Sequence, residues 1–451
     1  MAPSEKILTK LKRLVEQSPA DQTEALLITE DSSLTRFIPA SVHQHVAERN
    51  QTVILRIVLG KKVAVVTTNL LSPPSLRTAL EKGVSLARSL PPNPDFRSLP
   101  QAKPIPKINT FFEGIRRLTP GKKIKTIQEI MGLVKEKKAS VSGAFSHGTV
   151  GVAVFNSLGV EAFQQYSDLS LHLIAQNDHG SGYASFVSRD PDRLEIESLA
   201  RSAVSKISRE RPVEISPGEY EVILEPDAAH EFLSFMGFLG FHALVVQEGR
   251  SFLGNHFGEK LLDERVTIYD DGLDPHGLQV PFDFEGVPKQ KVLFFDKGVA
   301  RDVTYDSLTA GREKKESTGH ALTPPNTEGP IPVNLFMEGG RSSLEGMIRS
   351  IRRGIYVTRF HYTNVVEPMK AVITGMTRDG TFWIEDGEVR NPVKNLRFTE
   401  SILKALSRVK AISRERKICS SGSNYGRRFI TGTVAPAVQI EGFNFSGVSS
   451  L

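Results

Sequence analysis

Apolar residues recur at helical spacing in several parts of the chain. Ile7, Leu8, Leu11 and Leu14 fall on one side of a helix predicted over residues 4–17. Pro73 and Pro74 suit the opening of another helix. The spacing predicts further helices over residues 75–89, 124–137 and 191–208.

Alternating apolar and polar residues predict strands between these helices. In the first half they cover residues 25–29, 52–59, 62–68, 140–146, 148–156 and 160–176. Gly60-Lys61 is predicted to be a hairpin turn, and residues 177–182 a hairpin loop. Antiparallel neighbours are therefore expected, joined by short connections.

A linker with two prolines and a glycine covers residues 211–218. Pro226 then opens an apolar helix predicted over residues 227–246. Short strands follow over residues 220–224, 266–269, 291–295, 356–361, 371–376 and 381–384. The pattern predicts an α+β protein with an N-terminal α/β domain of antiparallel strands over residues 1–212. A strand-rich, barrel-like C-terminal domain is predicted over residues 213–451.

Composition narrows the class of protein. Of 451 residues, 39% are hydrophobic and 24% charged, which is typical of a soluble globular chain. The most apolar stretch, residues 232–246, is too short to span a bilayer, and the first residues lack the apolar segment of a secretory signal. Cys419 is the single cysteine, which excludes an intrachain disulfide and a multi-cysteine zinc site. We expect a cytoplasmic protein without a membrane partner.

Two basic stretches stand out from a net charge of +6. Residues 103–138 hold ten Lys or Arg against three Glu, and residues 397–428 hold nine against two. Such clusters can meet phosphate backbones. Neither is interleaved with aromatics or carries a known nucleic-acid motif, so solvated faces are the favoured interpretation.

One pair of residues has the form of a zinc-helix motif. His230 and Glu231 open the apolar helix, but the positions that need a second imidazole carry Ser234 and Phe235. His242 lies twelve residues beyond His230, about 18 Å along a continuous helix, which is too far for a shared metal ion. The other histidines of this half, His256, His276, His320 and His361, show no ligand spacing.

Other catalytic patterns are missing from the sequence. Neither a Gly-x-Ser-x-Gly elbow nor a Walker-type phosphate loop occurs. The adjacent carboxylates Asp270 and Asp271 are expected to be solvated.

Many short sequence segments of the second half resemble those of a known family in their order along the chain. They include Arg250-Ser251-Phe252-Leu253, Gly258-Glu259-Lys260, Tyr269-Asp270-Asp271, residues 282–288, Ser317-Thr318-Gly319-His320-Ala321, residues 354–359, Thr381-Phe382-Trp383-Ile384 and Asn395-Leu396-Arg397-Phe398. In order and spacing they resemble the C-terminal domain of the TldD/PmbA metallopeptidase-related family over residues 214–451. The first half resembles the family only in its general α/β plan.

The resemblance implies one of two branches. TldD-like members carry a His-Glu-x-x-x-His helix and a downstream cysteine that hold zinc, with the glutamate as general base. With Gly258-Glu259 as the anchor, those histidines fall at Ser234 and Leu239. The chain therefore resembles the TldE/PmbA-like branch, which lacks the motif and is thought to join a TldD-like chain in a heteromeric peptidase. The family is also called modulator of DNA gyrase.

These inferences favour a non-catalytic subunit that helps a TldD-like partner to cleave extended peptides. We expect no catalytic or metal-binding residue in this chain, zinc in the partner, and a homo- or hetero-oligomer. One alternative is an active hydrolase with a divergent metal site built from His230, Glu231 and Cys419. Another is a nucleic-acid-associated regulator, although nucleic acid is not the expected partner.

Overall fold

The computed structural model describes residues 5–208, 210–420 and 427–448, and the strands in this part of the chain form two sheets. The helices are α1 (Glu5–Glu16), α2 (Pro73–Ser89), α3 (Pro120–Lys135), α4 (Ile196–Ser205), α5 (Pro226–Leu239), α6 (Ala243–Gln247), α7 (Ser307–Glu313), α8 (Leu344–Ser350) and α9 (Ile402–Leu406). The strands of the first half are β1 (Gln22–Ile38), β2 (Ser41–Leu59), β3 (Lys62–Thr68), β4 (Ser140–Asn156), β5 (Glu161–Asn177) and β6 (Gly180–Ser188). Those of the second half are β7 (Gly218–Leu224), β8 (Ile268–Asp270), β9 (Val292–Asp296), β10 (Val299–Ala300), β11 (Leu335–Met337), β12 (Arg353–Glu367), β13 (Val372–Glu385), β14 (Glu388–Pro392), β15 (Leu396–Ser401), β16 (Val409–Cys419) and β17 (Thr433–Val448).

The first sheet has the order β3-β2-β1-β4-β5-β6, and every neighbouring pair is antiparallel. Its two faces bury different residues because successive side chains of a strand point to opposite sides. Odd-numbered residues of β1, such as Ala25 and Leu27, belong to the apolar cluster that includes residues of α1 and α2. Even-numbered residues, such as Leu26 and Ile28, pack against the second half of the chain.

The second sheet has eleven strands, and five of them form a barrel-like ring. Pairing runs from β7 through β12, β13, β15 and β17 and returns to β7. Helix α5 packs across this ring. Its Phe232 stacks on Phe360 and Phe443, with ring centroids 5.9 and 6.3 Å apart. These rings belong to the largest apolar core of the molecule.

Local sequence explains where the long helices begin. Ser72 precedes α2, and its hydroxyl accepts a hydrogen bond from the backbone N–H of Ser75. At the start of α3, the Thr119 hydroxyl likewise accepts a hydrogen bond from the backbone N–H of Lys122. Proline follows each cap at the first helical position, where its missing N–H is not needed.

The predicted α+β class and the barrel-like second half are confirmed, whereas several boundaries are wrong. Residues 140–146 and 148–156 form one strand, β4, and residues 371–376 and 381–384 form one strand, β13. Strand β13 continues because Asp379 and Gly380 take positive φ values of 53° and 123° at an irregularity in its pairing with β12.

The helix predicted over residues 227–246 is also wrong, because α5 ends at Leu239. Beyond it the backbone pairs with Thr304 instead: Thr304 N–H donates to Phe241 O, and Ala243 N–H donates to Thr304 O. The division of domains between residues 212 and 213 stays a prediction. Among the described helices, none is both long and apolar enough to cross a membrane.

A buried charge cluster joins the two halves of the chain. Arg56 of β2 contacts Glu24 of β1 at 2.8 Å and Glu285 of the second half at 2.6 Å. Both carboxylates are buried, so each needs the guanidinium of Arg56 as its counter-charge.

Replacing Arg56 with alanine should lower the free energy of unfolding by about 3–5 kcal/mol, because two buried carboxylates lose their counter-charge. Urea unfolding would measure the change. Arg49→Ala is the matched control, since Arg49 is largely exposed in its ion pair with Asp31 and should change stability by less than about 1 kcal/mol. Equal effects of the two substitutions would contradict a stabilising role for the buried cluster.

Candidate functional site

The first turn of α5 faces the first sheet through Asp227. Ser185 Oγ of β6 donates a hydrogen bond to Asp227 Oδ1 at 2.6 Å, and Lys417 of β16 forms an ion pair with Oδ2. Burial alone would raise the pKa of Asp227, but Lys417 and the hydrogen bonds lower it to about 2. Asp227 therefore stays ionised and joins three elements.

Cys419 lies beside this ion pair at the end of β16. The residue is buried, and its Sγ contacts Lys417 O at 3.8 Å. Burial, followed by the negative charge of Asp227, raises the pKa of the thiol well above its ordinary value. Cys419 is consequently a neutral, buried thiol in this structure.

His230 lies one turn after Asp227 and is buried as well. Burial lowers the pKa of its imidazole, and Glu231, Asp227 and Lys417 are its charged neighbours. The fold thus brings His230 and Cys419 to the same ion pair. Among residues 5–208, 210–420 and 427–448, no group of three or more His, Cys, Asp or Glu is arranged to hold a metal ion.

His242 is separated from this cluster by the end of α5. Its Nε2 lies 3.2 Å from Phe238 O, and burial lowers its pKa to about 4. A parallel bridge to Thr304 fixes its backbone. It therefore has a packing role.

A cleft of about 950 Å³ opens on the even-numbered face of the first sheet. Small side chains of β4, from Ser142 to Ser146, form part of its floor. Polar residues Asp168, Ser170 and His172 alternate with leucines along β5 and point into the same space. This period-two pattern is the sequence signal that could have located the cleft.

Arg428 fixes one wall of the cleft. Its guanidinium contacts both Asp168 carboxylate oxygens at 2.8 and 2.6 Å and Ser146 Oγ at 3.1 Å, and its backbone N–H donates to Glu30. Gly148 allows this approach, because a methyl group there would lie 2.8 Å from Arg428 Nε. The segment leading into β17 is thereby held on the first sheet.

The opposite wall joins β6 to the second sheet. Arg359 stacks over the Tyr183 ring at 4.5 Å and donates a hydrogen bond to the Asp379 carboxylate. The same carboxylate accepts a hydrogen bond from the Ser181 hydroxyl. His172 Nδ1 lies 2.7 Å from the Tyr183 hydroxyl, and burial lowers the pKa of this histidine to about 4. The wall is a hydrogen-bonded network that needs no protonated imidazole.

A family model for the PmbA/TldA metallopeptidase C-terminal domain matches residues 217–447. The chain belongs to the TldD/PmbA family. The match contains α5, which carries Asp227 and His230, and β16, which carries Cys419.

Curated relatives and a solved structure agree with the family assignment. The metalloprotease PmbA homologue of Haemophilus influenzae is 24% identical over 387 residues, which are 80% of each chain. A metalloprotease TldD homologue of Buchnera aphidicola is 25% identical over 266 residues, covering 57% of this chain and 52% of that protein. Like the Buchnera protein, two archaeal relatives are matched over only about half of their own length. TldE from Thermococcus kodakarensis shares the fold, with a TM-score of 0.88 and 21% identity over 98% of this chain and 100% of that one.

The zinc motif of the family does not fit the residues of α5. Ser234 is exposed and its hydroxyl donates to His230 O, Phe235 packs against the main core, and Leu239 is buried. None of these side chains is a zinc ligand. Asp227 is already bound by Lys417 and Ser185, so it does not serve as a zinc ligand in place of the missing histidines.

Many residues of the two basic stretches form ion pairs. In residues 103–138, Lys103 pairs with Glu316 and Arg117 with Asp192. In residues 397–428 the pairs include Arg408 with Glu400, Lys417 with Asp227, and Arg428 with Asp168. These pairs neutralise part of the positive charge of the second stretch, whereas most cations of the first stretch form no ion pair with a described carboxylate.

The Asp227–Lys417 ion pair predicts a pH-dependent stability difference. The folded pKa of Asp227 lies below its ordinary value, so its stabilising effect is present above about pH 4 and is lost as pH falls towards 2. Lys417→Met should lower the free energy of unfolding by about 3 kcal/mol at neutral pH, because Asp227 becomes a buried unpaired charge. The gap from the unchanged protein should shrink on acidification, when Asp227 of the variant becomes neutral.

Urea unfolding at several pH values measures this gap. Lys410→Met is the control on the same strand, since Lys410 is half exposed and lies 3.8–3.9 Å from its acidic partners. Its gap should be below about 1 kcal/mol and flat with pH. A pH-independent gap for Lys417→Met would refute the ion-pair interpretation.

The Cys419 thiol should be almost inert in the folded protein. Burial and the neighbouring carboxylate keep it protonated and shielded from reagents. Ellman's reagent should react at once in urea and slowly, by at least about a hundredfold, without it. Equally fast reaction under both conditions would show that the thiol is accessible or ionised.

Proposed function

We propose that this chain is the non-catalytic, TldE-like subunit of a heteromeric TldD/TldE-type peptidase. The observation that carries the proposal is the set of side chains on α5. Ser234, Phe235 and Leu239 stand where the catalytic branch would place two zinc ligands and a general base. In this proposal a TldD-like partner supplies both the zinc ion and the base.

The charged groups near α5 support a structural role. Asp227, Lys417 and Ser185 satisfy one another, and Cys419 is a protonated thiol. Two groups that could bind a metal or activate water are thus bonded or protonated, namely Asp227 and Cys419. His230, Glu231 and Cys419 do not form the ligand set that an independent hydrolase would need.

The exposed side of α5 supports contact with a partner. Phe238 is 52% exposed, and Ser234 lies one turn before it on the same side. Aromatic side chains are enriched at subunit contacts because they bury much area with few rotatable bonds. A TldD-like chain that covers this surface would remove Phe238 from water.

The cleft supports a role in admitting an extended peptide. Its volume of about 950 Å³ lies within the range of established ligand sites. Its polar lining offers hydrogen-bond partners along the strands of the first sheet rather than a closed apolar pocket. We place this activity in the cytoplasm, in accord with the single cysteine.

The first test is metal content together with co-expression. The purified chain should contain far less than one zinc per chain and should not cleave an unstructured peptide. Co-expressed with a TldD-like chain from the same genome, it should co-purify and raise peptide cleavage above that of the TldD-like chain alone.

His230→Ala is the control for a divergent metal site. About one zinc per chain, lost in this variant, would overturn the assignment and favour an independent hydrolase. No complex with the TldD-like chain and no rise in cleavage would also sink the proposal.

A further inference from the structure

Strand β2 is longer than β3, its neighbour at the outer edge of the first sheet. β1 pairs with β2 along its whole length, from Gln22 opposite Val58 to Ile38 opposite Ser41. β3 pairs only with residues 53–59. Residues 41–52 of β2 therefore have a strand neighbour on one side only within the described chain, and their outer edge presents unpaired backbone groups.

This free edge borders the cleft. Gln44, Val46 and Glu48 of β2 line the cleft, and most of residues 41–51 are exposed. At about 3.3 Å per residue, eleven residues extend about 36 Å, enough for a peptide of eight residues or more. The segment contains neither proline nor lysine, two residues that commonly block strand addition.

The charges of the cleft lining include arginines as well as Glu48 of the edge itself. Arg428 and Arg359 are already bound to Asp168 and Asp379. Arg36 contacts Gln44 Oε1 at 3.5 Å, and neither it nor Arg427 forms an ion pair with a described carboxylate. Two guanidinium groups therefore remain available at the cleft, and a carboxylate is their natural ligand.

We propose that the outer edge of β2, residues 41–51, binds an extended acidic peptide segment as an added strand, with Arg36 and Arg427 recognising its carboxylates. This inference rests on the proposed function, because it identifies where that subunit would hold the peptide. Main-chain hydrogen bonds supply sequence-tolerant affinity, and the two arginines supply the preference for acidic residues.

The main-chain part is tested with the full chain alone and a fluorescent, N-acetylated eight-residue peptide of threonine and valine with two glutamates. One residue at a time is N-methylated, and binding is followed by fluorescence anisotropy. An added strand uses alternate peptide N–H groups, so methylation should weaken binding about tenfold at every second position and little between them. A uniform effect, or no binding, would overturn strand addition.

The charge part is tested with Arg36→Ala combined with Arg427→Ala. The double variant should bind the glutamate peptide about tenfold more weakly and the matching glutamine peptide unchanged. Arg349→Ala is the control, since Arg349 is an exposed residue of α8 that pairs with Glu345 and does not line the cleft. Equal losses for both peptides, or an equal loss in the control, would refute recognition by the two arginines.

Hydrogen exchange distinguishes the peptide from other occupants of the edge. The glutamate peptide should slow exchange of amides in residues 41–51 of the isolated chain. Protection by a TldD-like chain or by self-association at high concentration, without protection by peptide, would identify a subunit interface and overturn the proposal. Because these assays need neither partner nor catalysis, failure to form a peptidase complex would refute the proposed function separately.

Discussion

Buried charged groups need an ion pair or hydrogen bonds, and this constraint governs the contact between the two sheets. The apolar centre of the contact is formed by Leu26, Ile28 and their neighbours under the second half. Around it, polar bonds with one member from each half hold the sheets in register, and losing one member would remove a partner from a buried or half-buried group. These bonds are Arg56 to Glu285, Asp168 to Arg428, Ser185 to Asp227, and Ser181 to Asp379.

The same constraint explains the bonds of the first turn of α5, which connect this helix to β6 and β16. Asp227 is ionised because Lys417 and Ser185 hold it, and its charge in turn raises the pKa of the Cys419 thiol. A metal ion placed here would have to displace Lys417, deprotonate Cys419 and leave Ser185 without its acceptor. Each change works against the bonds that attach α5 to the first sheet.

Sequence patterns could predict much of the fold but little of the cleft. Helical spacing located α1 and α2, and period-two alternation located most strands, because local patterning reflects burial directly. The end of α5 could not be predicted, since pairing of residues 241–243 with Thr304 is a contact between distant parts of the chain. Asp270 was wrongly expected in solvent, because its partners His320 and Asn334 lie 50 and 64 residues away. The residues at positions 234 and 239 can be read from the sequence alone because a metal motif is local, whereas Arg428 and Asp168 meet only after folding.

Helix α5 has a side that faces the core and a side that faces outward. The helix is held by Phe232, Leu233 and Met236, which point into the main core, whereas Ser234 and Phe238 point outward. Position 234 lies on the outward side, so its side chain contributes little to the core, whereas Leu239 belongs to that core. Under the proposed function, this chain keeps the family fold, its cleft and the free edge of β2 without the residues that perform the chemistry. Under the proposed function, binding of the peptide and cleavage of its bond are carried by different subunits, because only binding depends on surfaces that this chain retains.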